Sequence, residues 1–350
     1  MQAQNPLGPL AREIANLARK EALVLFVGAG INGDAGWQWP GLLKELLTRG
    51  LQCSVEPAPS RDALTKLQEA IAKEHDFYAQ ASIASVLLGP HRFLPILRSV
   101  VYSRLKRSCD LSRLEDLCRA AASKRTTPVD DFGSKGDVAA FGYLSSLARL
   151  CTRPEIVAVV TYNYDTLLEY AVECLIRAPD CPPEMKRKPV PIARQIDRRR
   201  EQSRKDRLDI YHVHGCLPPP GSLTHLADYP VVISQQDYAR TMQDPYQWED
   251  SSQLHFLRNF PCLFLGLSMS DWNMLRLLQA ALPPPRPKRE QRWLYCIGTG
   301  ADDLQSALKA RLLEGVGVSF HAAGHERYDQ LRRFSDQLYF ELNKPTEQAP

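Results

Sequence analysis

Three short polar blocks carry the residue types that chemistry needs. Thr161-Tyr162-Asn163-Tyr164-Asp165 closes the apolar run that starts at Ile156, His214-Gly215 follows Asp209 to Val213, and Gly266-Leu267-Ser268-Met269-Ser270-Asp271 follows Cys262 to Leu265. An imidazole and a carboxylate can move protons near neutral pH, and a neutral amide such as Asn163 offers both a donor and an acceptor with which to orient a polar substrate or a water. Each residue also has a plain structural use. Asn163 and Asp165 stand where a strand gives way to a helix, a position that favours Asn and Asp as caps; Asp271 can cap its own helix in the same way. His214 reads equally well as a hydrogen-bonded core histidine. Tyr162 and Tyr164 beside Asn163 point to a polar pocket with aromatic walls, and His212, expected on the opposite face of an extended strand from His214, is the poorer candidate. A fourth block, Gly28, Ala29, Gly30, Asn32, Gly33 and Gly36, follows the apolar run Leu23 to Val27. Such a turn lets a backbone approach a phosphate and aims the next helix N-terminus at it. Its spacing departs from the full dinucleotide fingerprint, so a purely structural turn fits as well.

These blocks can meet only if the strands that carry them end side by side. Uninterrupted apolar runs at 23–27 and 156–161, with further short ones at 209–213, 231–234, 262–266, 293–297 and 316–320, alternate with helical segments. That alternation predicts an α/β protein with a Rossmann-like, doubly wound and mostly parallel sheet, in which loops at the carboxyl ends of the strands form the site. One helix is expected over Ala11 to Lys20, and another from Trp39 to about Arg49 with Pro40 in its first turn. Between about 51 and 151 the apolar residues recur at helical spacing, as in Leu64, Leu67 and Ile71 or Phe93, Leu97 and Val100. This reads as an all-helical insertion, with helices at 111–122 and 138–151 around a loop at 124–136, set into a core of residues 1–50 and 152–342. Residues 179–207 are proline-rich and then basic, and read as an excursion from that core. Pro283 to Pro287 reads as a rigid linker.

Composition narrows the function classes. The chain has 350 residues, 44% hydrophobic and 24% charged, as an ordinary globular protein does. No stretch nears the roughly 20 apolar residues that span a bilayer, and the first residues lack the pattern of a secretion signal, so a cytoplasmic protein with no membrane contact is expected. Nine cysteines occur without a C-x-x-C pair, which argues against a zinc ribbon and a disulfide framework; no metal is expected. A net charge of +4 is too small to imply nucleic-acid binding. Lys186 to Arg207, with ten basic residues against three acids, is the one segment suited to an anion, a partner or a nucleic acid, though a solvated surface explains it as well.

Taken in order, the blocks resemble the sirtuin family, and within it the sirtuin-like NAD-hydrolysing domains of bacterial anti-phage defence. Gly28-Ala29-Gly30 with Trp39-x-x-Leu42-Leu43 is similar to that branch's phosphate loop and following helix, Thr161 to Asp165 to its T-x-N-x-D block, His214-Gly215-x-Leu217 to its H-G-x-L block, and Gly266-x-Ser268-x-x-Asp271 to the loop that meets adenosine; Val231 to Tyr238 resembles a further segment. The resemblance implies NAD as substrate and an NAD glycohydrolase activity that releases nicotinamide and ADP-ribose. It implies Asn163, His214 and Asp165 as catalytic residues, with Asn163 placing the ribose or the attacking water and His214 as general base. Gly28, Ala29, Gly30 and Asn32 would cradle the pyrophosphate, Trp39, Thr161 and Tyr162 would line the NAD site, and Gly266, Ser268 and Asp271 would hold the adenosine side. Three departures bear on this reading. Asn32 replaces the family's loop serine, the Pro-Asp-Phe-Arg segment of the deacylases gives way to Trp37-Gln38-Trp39, and the four-cysteine ribbon after H-G is missing. The last two weaken the alternative of an NAD-dependent deacylase; a non-catalytic module that binds NAD or ADP-ribose is a second alternative. Relatives in defence assemble as oligomers or work with an ATPase, an Argonaute-like protein or a phage trigger, which makes a homo-oligomer or such a partner the expectation here.

Overall fold

The computed structural model describes residues 7–35, 37–54, 60–105, 115–116, 118, 139–179, 181, 183, 186–193, 206–220, 231–244, 247–282, 294–298, 304–322 and 327–345. Its centre is a seven-stranded sheet in the order β3-β4-β2-β1-β5-β6-β7, formed by β1 (Leu23–Val27), β2 (Ile156–Thr161), β3 (Lys188–Ile192), β4 (Arg207–His212), β5 (Cys262–Leu265), β6 (Leu294–Gly298) and β7 (Ser319–Ala322). Every neighbouring pair is parallel. The fold is therefore the expected Rossmann-like α/β class. The central strands read as unbroken apolar runs because both faces of the sheet are covered. All five side chains of β1 have no solvent exposure, and burial of each contributes about 1.5 to 3 kcal/mol.

On one face, Leu23, Leu25 and Val27 pack against α1 (Gly8–Glu21), α6 (Ala139–Cys151), α7 (Leu167–Arg177) and α12 (Arg327–Asn343), through residues such as Ile14, Leu147, Leu168 and Phe334. On the other, Val24, Phe26 and Phe264 meet α9 (Trp248–Asn259), α10 (Trp272–Ala281) and α11 (Leu304–Glu314), through Phe256, Leu277 and Leu313. A third apolar cluster joins α2 (Trp39–Ser54), α4 (Phe77–Leu88) and α5 (Pro90–Val101) through Leu43, Leu46, Ala84 and Leu97; α3 (Arg61–Glu74) packs against α2 and α4, and α8 (Gln235–Gln243) against α4. This helical layer stands over the carboxyl ends of the strands. Helix α6, next to it in sequence, instead packs on α7 and α12.

Two segments depart from the sequence reading. The segment expected to leave the core contributes β3, paired with β4, and Arg187 is buried with its guanidinium donating to the carbonyls of Arg153, Ile156 and Arg207. Pro189 and Pro191 hid this strand. Proline fits an edge strand, where a missing N–H can face away from the neighbour. The run 231–234 stays outside the sheet: the Val232 amide donates to the His214 carbonyl at 3.0 Å and Ile233 is buried in the helical layer. Strand β7 lies at 319–322 rather than 316–320, and α1 and α2 run longer than expected. The expected loop at 124–136, the linker at 283–287 and most of the expected helix at 111–122 lie outside the described residues, as do 194–205 of the basic segment. Among the described residues no helix is long and apolar enough to cross a membrane.

Candidate active site

From β1 the chain builds outward through β2, β3 and β4, then crosses back to β5 on the other side of β1. Such a reversal opens a crevice at the strand ends. The loops after β1 and β5 press together there. The Gly28 amide donates to the Leu265 carbonyl at 3.2 Å and the Gly30 amide to the Gly266 carbonyl at 2.9 Å. A Cβ on Gly30 would stand 2.7 Å from the Gly266 Cα, and one on Gly266, whose φ is +64°, would stand 2.6 Å from the Ile31 nitrogen. These glycines therefore answer first to loop-on-loop packing. Residues Ala29–Ala35 form a 3₁₀ turn, so α2 starts only at Trp39 and not directly after the glycines.

Beneath the helical layer lies a narrow cleft with Ala29, Trp37, Trp39, Tyr162 and Tyr164 in its wall and Asn32, Asn163 and Asp165 as its polar groups. The Asn32 amide nitrogen donates to Oδ2 of Asp165 at 2.7 Å, while its Oδ1 is buried with no hydrogen-bond partner among the described residues. Oδ1 of Asp165 accepts from the Leu167 amide at 3.1 Å, at the start of α7. Burial pushes the Asp165 carboxyl up to about 6; the Leu167 amide bond opposes this, nearby Glu169 adds to it, and Asn32 and His212 oppose it further. Asn163 is buried, with its side-chain nitrogen donating to the Gly28 carbonyl at 3.3 Å and its backbone amide to Oγ1 of Thr161 at 3.1 Å. Thr161 thus shapes the turn and holds Asn163. The ring of Trp39 meets that of Tyr164 edge-on at 6.3 Å.

His214 stands beside this cleft, with Tyr162 bordering both: the Tyr162 and His214 rings meet edge-on at 5.0 Å, and the Tyr162 hydroxyl donates to Gln253. The His214 Nε2 lies 3.3 Å from the Tyr238 hydroxyl and 3.9 Å from Oδ2 of Asp271. That same Oδ2 accepts from Tyr238 at 2.8 Å and from Tyr78 at 3.2 Å, and Oδ1 caps α10 by accepting from the Met274 amide at 2.8 Å. Burial holds the His214 imidazole below its ordinary pKa, against the pull of Asp271 and Asp250. Asp271 is thus at once a helix cap and the neighbour of His214. Ser268 stands apart, its Oγ 2.6 Å from that of Ser270 in an exposed loop that borders a groove between α10 and α11.

His212 does different work. Strand geometry alone puts residues i and i+2 on one face, but β4 ends at His212 and residues 213–214 turn, which separates the two rings. The His212 ring lies 3.0 Å from the Asn163 carbonyl through Nδ1 and 2.5 Å from Oε1 of Glu169 through Nε2. Burial disfavours the charged ring, yet Glu169 outweighs it and holds the pKa well above the usual histidine value.

The sequence reading missed Tyr78, Tyr238 and Trp37. Tyr238 had a local signal, the Ser234-x-x-Asp237 capping box that opens α8 just before it. Tyr78 and Trp37, whose indole donates to the Val100 carbonyl at 2.8 Å, had none. Residues 157–321 match the SIR2-like domain. The match spans the Thr161 to Asp165 turn, His214 and the Gly266 to Asp271 loop, and supports a sirtuin-like family and an NAD-related activity. No curated protein matches the chain.

Proposed function

We propose that the protein is an NAD glycohydrolase, cleaving the bond between nicotinamide and ribose to release nicotinamide and ADP-ribose. The observation that carries this reading is the buried, unpartnered Oδ1 of Asn32 in an aromatic-walled cleft beside Asp165 and Asn163. A planar ring bearing a carboxamide suits such a cleft, because its faces meet aromatic side chains and its N–H groups need acceptors. When bound, NAD supplies an N-glycosidic bond whose cleavage demands orientation of the ribose and delivery of water to one face. Asn163 orients the ribose hydroxyls or the water. Asp165 and Asn32 accept from the carboxamide and hold the leaving group. His214, kept neutral by burial, takes the proton from water or from a ribose hydroxyl. Gly28, Ala29 and Gly30 face the pyrophosphate, and Gly266 and Ser268 the adenosine side, because both oxygens of Asp271 already accept from Met274, Tyr238 and Tyr78. The resemblance to defence proteins extends the proposal to a regulated NAD-depleting effector in the bacterial cytoplasm, active as a homo-oligomer or with a partner.

The test is release of nicotinamide and ADP-ribose from NAD by the purified chain. Asn163→Ala is expected to lower the rate at least about 100-fold. An equal rate from wild type and variant overturns the assignment, and formation of acetylated ADP-ribose from an acyl-lysine peptide favours the deacylase instead. Binding of NAD, seen as a rise in Tm, with no turnover under any condition would identify a sensing module.

A further inference from the structure

Tyr238 has one hydroxyl proton and two acceptors within reach. Oδ2 of Asp271 lies at 2.8 Å and Nε2 of His214 at 3.3 Å. A bond from a hydroxyl to a carboxylate is shorter and stronger than one to a neutral ring nitrogen, so the proton belongs to the shorter contact. The Tyr238 oxygen is then left facing His214 as an acceptor only. Nε2 at that distance must carry a hydrogen to donate, and a neutral imidazole with its proton on Nε2 has its lone pair on Nδ1. Burial, reinforced by the charge of Asp271, holds the Tyr238 hydroxyl well above its ordinary pKa, so it keeps its proton across the range in which histidine titrates.

The carboxylate is itself held from three sides. The Met274 amide fixes Oδ1, while Tyr238 from α8 and Tyr78 from α4 both donate to Oδ2. Tyr78 and Tyr238 also pack ring against ring, with centroids 4.3 Å apart.

We propose that Asp271 is a positioning residue for His214: through Tyr238 it fixes the imidazole as the Nε2–H tautomer and leaves the basic lone pair on Nδ1. Its use in turnover rests on the NAD reading above, whereas the tautomer itself does not. Asp271→Asn reverses the polarity of the chain of bonds. The side-chain amide then donates to the Tyr238 oxygen, Tyr238 donates to Nε2, and the ring proton moves to Nδ1. Helix α10 stays capped, because Asn caps as well as Asp. Substitution of Asp by Asn behind a catalytic histidine elsewhere costs up to about 10⁴-fold in kcat through the wrong tautomer.

The test is long-range proton-nitrogen NMR of the full chain labelled with ¹⁵N-histidine, with the His214 signals assigned by their loss in His214→Gln. Wild type is expected to show a protonated Nε2 and a bare Nδ1, Asp271→Asn the reverse, and Tyr238→Phe a mixture of the two. In the nicotinamide assay Asp271→Asn is expected to lower kcat about 10²- to 10⁴-fold with KM within about threefold. A wild-type ring protonated on Nδ1, or a ring pattern unchanged by Asp271→Asn, overturns the proposal. The expected ring patterns with no nicotinamide release from wild type uphold the tautomer and overturn the NAD reading.

Discussion

His212 and His214 are two residues apart, both buried, and at the same end of the sheet, yet their surroundings push them in opposite directions. Both ring nitrogens of His212 are engaged, one by the Asn163 carbonyl and one by Glu169. For His214 the Asp271 carboxylate comes no nearer than 3.9 Å, and Tyr238 stands closer, at 3.3 Å. The first ring is held charged and consumed in a bond that supports the turn carrying Asn163. The second is held neutral, next to a cleft. Residue type and burial are common to both, so the difference in charge comes from the groups around each ring.

The strongest way to break this contrast is to remove each ring. His214→Ala is expected to lower nicotinamide release at least about 10³-fold with Tm changed by only a few degrees. His212→Ala is expected to cost about 3 to 5 kcal/mol in chemical denaturation, because it leaves Glu169 buried without its partner. Equal stability losses for the two variants would erase the distinction. A second experiment replaces the whole pair: His212→Leu with Glu169→Leu is expected to recover most of the stability lost in His212→Ala, since an apolar pair of similar volume often replaces a buried ion pair without loss.

The third test reads opposite signs. The raised pKa of His212 gives stability that is complete below about pH 6.5 and is lost as pH rises through the folded value; the lowered pKa of His214 gives the reverse, a loss as pH falls from about 6.5 through its folded value. Denaturation of His212→Gln and His214→Gln against wild type across pH 5 to 9 is therefore expected to give difference curves of opposite slope. Curves of the same slope would mean that the two environments are alike. The smallest effect is expected at Asp165. Its folded pKa of about 6 lies above the ordinary carboxylate value, so wild type loses stability as pH rises from about 4 to about 6. Asp165→Asn escapes that loss, and Asn32 can turn its unpartnered Oδ1 toward the new amide. A gain on the order of 1 kcal/mol at pH 7, read as a higher Tm alongside slower turnover, is expected.

Much of this arrangement is legible in the amino-acid sequence. The runs at 23–27, 156–161 and 262–265 announce a sheet covered on both faces because burial on both sides forbids polar alternation. The turns that follow them announce a site because open parallel sheets bind ligands there. What was not legible depends on contacts between distant segments. Tyr78 reaches Asp271 across nearly two hundred residues, and an aromatic residue on a helix carries no mark of that. Asp271 gave a cap signal that was true and incomplete, since a cap leaves one carboxylate oxygen to do something else. Strand β3 was hidden by the two prolines that suit it to an edge.

The packed loops after β1 and β5 also constrain how this site can vary. Gly30 and Gly266 are each excluded from becoming anything larger by the other's backbone, so neither loop is a free variable. A search that randomises one of them against a fixed partner should return glycine at that position repeatedly. Only libraries that alter both loops together, or relatives in which the two have drifted as a pair, can explore another geometry at the heart of the crevice.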